Sequence, residues 1–305
     1  MPAYVTPEID VFDAATSAAR TRPAWYGPAP MKSARIVRDV TARKVRMRVI
    51  EAGAGRPLLL IHGFLVSHLE YDRIIEPLAQ HFRVIAVDLP GFGESEKPPP
   101  TRYPYGIEAF AEAVADVIAA MDLGRVSVLG HSMGGAIALT LAAEHPELVE
   151  KLVVANALVY PFPLDFKARI PLLPVVGPFV FKQLYGRSMF RAYFRENVYK
   201  PGFPLPLDRV DAYYDRFNTP AARESAYAVL RAMLDTRPVV ARIPRISMPT
   251  LVVWGRDDRM FRPALGQRLA RELASARLEL FDTGHAPNEE QPEQFASVVT
   301  EFLRG

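Results

Sequence analysis

Between Ala34 and Ile50 polar and apolar residues alternate, and the segments Arg35–Val40 and Lys44–Ile50 read as two strands paired at a sheet edge. Short, mostly apolar runs follow at Pro57–Ile61, Val84–Val87, Val126–Leu129, Leu152–Ala155 and Thr250–Trp254. Runs this short and this rich in Val, Ile and Leu suit strands covered on both faces of a parallel sheet. Between them the period lengthens to that of a helix. The clearest case is Ile107, Phe110, Val114, Val117, Ile118 and Met121, an apolar stripe at three-and-four spacing. Similar patterns cover Tyr71–Gln80, Ser132–His145, Pro263–Leu273 and Pro292–Leu303. Strand and helix in turn predict an α/β protein, with a mostly parallel central sheet flanked by helices.

The alternation stops between Leu158 and Val240 and resumes at Ile246. Eight prolines fall between Pro161 and Pro206, and helical patterns dominate after Pro178. The expected organisation is an extension over 1–33, a sheet-based body over 34–157 and 241–305, and an inserted helical cap over 158–240. Five prolines limit the extension to one short helix near Asp10–Arg20. Glu8, Asp10 and Asp13 stand where the apolar part of a secretory signal would be, and no run reaches the roughly 18 apolar residues of a membrane span. A cytoplasmic protein is the expectation.

Composition narrows the function. Half of the 305 residues are hydrophobic, enough for a packed core. Lys and Arg number 37 against 34 Asp and Glu, too small an excess for a nucleic-acid binder. With no cysteine, disulfides, a thiol nucleophile and thiolate metal sites are excluded. Between Tyr160 and Phe203 seven basic residues face only two acidic ones, Asp165 and Glu196. Arg187, Arg191 and Arg195 recur every four residues and would share one helix face. A solvated basic face is the default reading; weak contact with anionic substrates or an anionic lipid surface is the alternative. Ten aromatic residues lie between Phe162 and Phe203. Most should pack the cap against the sheet, leaving some to line an apolar or aromatic pocket.

The sharpest local signal is Gly130-His131-Ser132-Met133-Gly134-Gly135, placed between a predicted strand and a predicted helix. G-x-S-x-G puts a serine on a tight turn, with small residues on both sides to relieve crowding and a helix N-terminus aimed at a developing oxyanion. Random placement of the chain's glycines and serines gives about 0.04 such matches, so chance accounts for it poorly. The competing reading is a serine that merely caps the helix. A serine nucleophile needs a base. If the chain order is Ser, acid, His, five of the six histidines lie too early, and His285 in Asp282-Thr283-Gly284-His285 remains. The acid should end a strand between them, and Arg256-Asp257-Asp258 follows Thr250–Gly255. Either aspartate could orient the imidazole; Asp258 is preferred because Gly255 makes the turn, with Asp257 structural.

Three other features are set aside. Gly91-Phe92-Gly93 lacks the third glycine of a dinucleotide fingerprint, and Ser95 lacks the second glycine of a nucleophile turn. His62 and His68 are spaced unlike metal ligands.

With these motifs in order, the sequence resembles the α/β-hydrolase family, with serine esterases the closest branch, from about Ser33 to the C-terminus except in the cap. The further motifs are His62-Gly63-Phe64, Asp88 through Ser95, Trp254 through Asp258, and Gly284-His285 through Glu290 and Pro292. The resemblance implies an oxyanion hole from the backbone N–H groups of Phe64 and Met133, with Leu65 the weaker candidate, and it favours Asp258 again. It implies a Ser132–His285–Asp258 esterase acting on a small-molecule ester, without cofactor or metal. Relatives that cleave haloalkanes or epoxides carry aspartate where Ser132 stands. Carbon–carbon bond hydrolysis keeps serine, although Ala286 and Pro287 replace the aromatic usual after the histidine. Perhydrolase or haloperoxidase-like activity shares the triad, and a small-molecule receptor is the non-enzymatic alternative. Oligomeric state is left open.

Overall fold

The computed structural model describes residues 34–161, 172–173 and 175–305. The extension with its expected helix, and Phe162, Asp165, Phe166, Lys167 and Arg169 of the insertion, lie outside the described residues.

Strands β1 (Ile36–Ala42) and β2 (Val45–Ala52) form the predicted edge hairpin. Its two turn residues, Arg43 and Lys44, both have positive φ (51° and 61°), the twist a two-residue hairpin requires. The remaining strands are β3 (Pro57–Ile61), β4 (Arg83–Val87), β5 (Val126–His131), β6 (Val149–Ala155), β7 (Thr250–Gly255) and β8 (Ala276–Phe281). The sheet runs β1-β2-β4-β3-β5-β6-β7-β8. β2 pairs antiparallel with β1 and β4, and all other pairings are parallel. β6 begins three residues before the predicted run, because Glu150 and Lys151 at its half-exposed start carry no apolar signal.

Helices α1 (Asp72–Ala79), α2 (Ile107–Ala120) and α3 (Met133–Glu144) precede an insertion between β6 and β7. α1 is preceded by a single 3-10 turn at His68–Tyr71. In the insertion α4 (Val176–Phe179) and α5 (Arg187–Tyr193) each widen into a π-helical turn, at Val180–Leu184 and Phe194–Val198. α6 (Leu207–Phe217), α7 (Pro220–Ala232) and α8 (Arg237–Arg242) follow. α9 (Pro263–Glu272), α10 (Pro287–Glu290) and α11 (Pro292–Arg304) complete the described chain.

Alternation along the strands splits the core into two layers. Leu58 and Leu60 pack with Ile74 and Leu78 of α1 and Phe295 and Val299 of α11. Leu59 and Ile61 face the other way, toward α2, α3 and the insertion. The insertion has its own aromatic centre. Phe190 is fully buried, with ring centroids of Phe194, Tyr214 and Phe217 at 5.0, 5.5 and 5.7 Å. These aromatics therefore stack largely on one another. The basic face also finds partners: Arg187 pairs with Asp211 and Asp215, and Arg191 with Asp211. Both acids sit on α6, outside the segment whose charge looked lopsided. Among the described residues no helix is long and apolar enough to cross a membrane.

Candidate active site

Parallel strands deliver their C-terminal ends to one edge of the sheet, and the chain places Ser132, Asp258 and His285 there. Ser132 follows β5 and opens α3 with φ 54° and ψ −116°, a conformation that costs a non-glycine residue energy. The surrounding glycines make it possible. A Cβ on Gly134 would stand 2.0 Å from the Ile61 carbonyl oxygen, and one on Gly130 would stand 2.2 Å from that of Gly134. Both are incompatible with any side chain.

His285 lies on the loop after β8, with Nε2 2.9 Å from Ser132 Oγ and Nδ1 2.8 Å from Asp258 Oδ2. All three residues are buried. Asp258 Oδ1 accepts the N–H groups of Met260 and Phe261 at 2.8 and 2.9 Å. Burial pushes the Asp258 carboxyl upward, but His285 and the hydrogen bonds from Asn156 and Phe261 outweigh it and hold the group below the usual carboxylate range. A carboxylate there requires the proton on His285 Nδ1 and leaves Nε2 free to accept from the serine hydroxyl. Asp257 is exposed and pairs with Lys200 at 3.1 Å, apart from the relay.

Phe64 and Met133 line the same cavity as Ser132 and His285. The Met133 N–H heads α3, where no intrahelical acceptor exists for it. The loop bearing Phe64 presses close: a Cβ on Gly63 would lie 3.3 Å from Ser132 Cβ. Leu65 instead borders a separate apolar pocket with Phe92, Tyr213 and Phe217. The rest of the Ser132 cavity is mostly apolar, with Leu158, Tyr193, Phe194, Val198, Met233 and Phe261 on its walls. Tyr193 and Phe194 come from the aromatic stretch of the insertion.

Three further polar residues belong to the site, of which Asn156 and Glu70 carry no motif and Glu289 lies within the segment after His285. Asn156, just after β6, is fully buried and takes the left-handed conformation that asparagine tolerates (φ 44°). Its Nδ2 donates to Asp258 Oδ2 at 2.5 Å. Glu289 borders the cavity and accepts from the hydroxyls of Tyr199 and Tyr213, each at 2.6 Å. Burial holds its carboxyl above the ordinary range. Glu70 also borders the cavity, beside His131. The one available signal was position: Asn156 directly follows a buried strand next to the one bearing Ser132.

The features set aside have structural work. His62 Nε2 accepts the Leu89 N–H at 3.0 Å, so its Nδ1 carries the proton and donates to the Gly63 carbonyl at 2.7 Å. Asp88 binds His68, and Ser95 Oγ donates to the Asp88 carbonyl at 2.6 Å.

A family profile described as the alpha/beta hydrolase fold matches residues 56–292. The chain is 29% identical to a 2-hydroxymuconate semialdehyde hydrolase of Pseudomonas sp. (strain CF600), over 90% of this chain and 96% of that one. It is 30% identical to a pimeloyl-[acyl-carrier protein] methyl ester esterase of Neisseria meningitidis, over 86% and 99%. Among solved structures, a serine hydrolase involved in carbazole degradation (CarC enzyme) superposes with a TM-score of 0.74 at 28% identity. That match covers 89% of this chain and 99% of the other.

Proposed function

The chain belongs to the α/β-hydrolase fold family, and from that premise we propose that it is a serine hydrolase of carboxylic esters with an apolar or aromatic acyl group. The observation that carries this reading is the continuous relay Ser132 Oγ, His285 Nε2, His285 Nδ1, Asp258 Oδ2, with steps of 2.9 and 2.8 Å. His285 takes the Ser132 proton as Oγ bonds to the ester carbonyl carbon, and the oxygen's charge falls to the N–H groups of Phe64 and Met133. Collapse breaks the bond to the alcohol, which leaves with the proton from His285. Water then loses a proton to His285, attacks the acyl carbon and releases the acid, restoring Ser132. The apolar cavity walls suit the acyl group, and the helical insertion acts as the cap over it.

Carbon–carbon bond hydrolysis is the second reading, favoured by the likeness to a semialdehyde hydrolase. Against it stands Ala286, a small residue on the cavity wall directly after His285. Ser132→Ala should abolish both p-nitrophenyl ester hydrolysis and labelling by a fluorophosphonate; turnover surviving in that variant overturns the assignment. A panel of esters of graded acyl length beside a vinylogous diketone separates the two reactions.

A further inference from the structure

Two buried histidines flank the site, and their partners differ in kind. A neutral imidazole has one N–H and one acceptor nitrogen. His62 fits that description, donating through Nδ1 and accepting at Nε2, and burial holds it below its ordinary pKa. His131 has a carbonyl oxygen and a carboxyl group as its partners. Its Nε2 lies 2.8 Å from the carbonyl oxygen of His285, which can only accept. Its Nδ1 lies 3.0 Å from Glu70 Oε2. A proton lies between those last two atoms, on one side or the other. The other Glu70 oxygen, Oε1, accepts the Gly63 N–H at 3.1 Å. Glu289, bordering the same cavity, adds further negative potential. Burial works against a charged ring here, yet Glu70 outweighs it and the His131 imidazole is held above its ordinary range.

We propose that His131 is a buried imidazolium that positions the site, its two N–H groups tying Glu70, and through it the Gly63–Phe64 backbone, to the backbone of His285. The oxyanion loop and the general-base loop come from opposite ends of the chain, and the ion pair joins them across the serine. Asn288 Nδ2 donates to the Glu70 carbonyl at 3.0 Å, so α10, which follows His285, grips the same segment a second time. His131 touches no reacting atom in this arrangement. Its effect is on geometry, where a displacement of about 1 Å costs on the order of a hundredfold in rate.

The kinetic part rests on Ser132 being the nucleophile; the charge state does not. The test is ¹⁵N NMR of the histidine rings in the full-length protein at pH 7.5. His131, assigned by its loss in His131→Gln, should show protons on both ring nitrogens, and His62 on Nδ1 alone. Glu70→Gln should abolish the doubly protonated signal and lower kcat for a p-nitrophenyl ester at least tenfold, with KM changing less than threefold. A single neutral tautomer at His131 in the unaltered protein overturns the proposal, whatever the activity measurements give. Equal kcat in Glu70→Gln and the parent overturns the positioning role. Failure of fluorophosphonate labelling, by contrast, would count against the esterase reading and leave the NMR result standing.

Discussion

Asn156 Nδ2 stands 2.5 Å from Asp258 Oδ2, the same oxygen that receives His285 Nδ1 at 2.8 Å. One carboxylate oxygen thus holds two donors, while the other holds the amides of Met260 and Phe261. Removing Asn156 leaves Asp258 charged but freer to turn. Asn156→Ala should lower kcat about tenfold with little change in KM, a smaller loss than the roughly 10⁴-fold drop expected for Asp258→Asn, which also presents the wrong tautomer to Ser132. Steady-state kinetics on one ester measures both. An Asn156→Ala variant as slow as Asp258→Asn would show that asparagine does more than orient the acid.

The turn at Ser132 has no room for a side chain beside it. Gly134→Ala would force a methyl to within 2.0 Å of the Ile61 carbonyl oxygen, backbone that cannot swing aside. Overpacking of this kind costs about 1–3 kcal/mol or more, so the urea midpoint should fall and activity with it. Gly202→Ala is the control for steric crowding: its φ is 86°, but nothing lies near its missing Cβ, so the loss there should be conformational and confined to stability.

Glu290 gives stability a dependence on pH. Burial pushes its carboxyl up to about 7 from an ordinary 4.5, even though it accepts the N–H groups of Gly284 and Lys200. Between about pH 4.5 and 7 the folded chain keeps a proton that the unfolded chain has lost, so this group's contribution declines as pH rises through that window. Glu290→Gln removes the penalty, and its unfolding free energy should vary less between pH 5 and 8 than the parent's. Denaturant titrations at the two pH values measure the difference, bounded at a few kcal/mol. An identical pH slope in the variant would refute the assignment.

The arginines of α5 are matched by Asp211 and Asp215 of α6. A face compensated this way should attract anions weakly. Hydrolysis of neutral and anionic esters should respond alike to salt between 50 and 500 mM, and co-sedimentation with anionic vesicles should find the protein in the supernatant. Asp211→Asn with Asp215→Asn should raise vesicle binding at low salt. Strong binding by the unaltered chain would restore the surface-contact reading of this helix.

Most of the sheet was legible because buried parallel strands write themselves as short runs of Val, Ile and Leu, and Val84–Val87 and Thr250–Trp254 needed no further context. β6 starts before its apolar run for the opposite reason, since Glu150 and Lys151, which follow the buried Val149, are half exposed. The π-helical turns after α4 and α5 left no trace in the sequence. They change the hydrogen-bonding offset of a helix without a characteristic residue to mark them. The acidic partners of Arg187 and Arg191 come from α6, which a count over neighbours in the chain does not include.

The sequence by itself singled out Ser132, His285 and the strand end that carries Asp257 and Asp258, along with most of the sheet that presents them. Local crowding around Ser132 demands glycines, and the chain order of serine, acid and histidine points to a histidine late in the chain; both constraints are linear. The sequence preferred Asp258 to Asp257, and the tertiary structure places the Asp258 carboxylate 2.8 Å from His285 and that of Asp257 beside Lys200. The tertiary structure alone supplied Asn156 and Glu70, and the tyrosine partners of Glu289, all of which lie far away in the chain from the groups they bind. A buried polar group is paid for by the partner that satisfies it, and that partner is set by packing rather than by spacing.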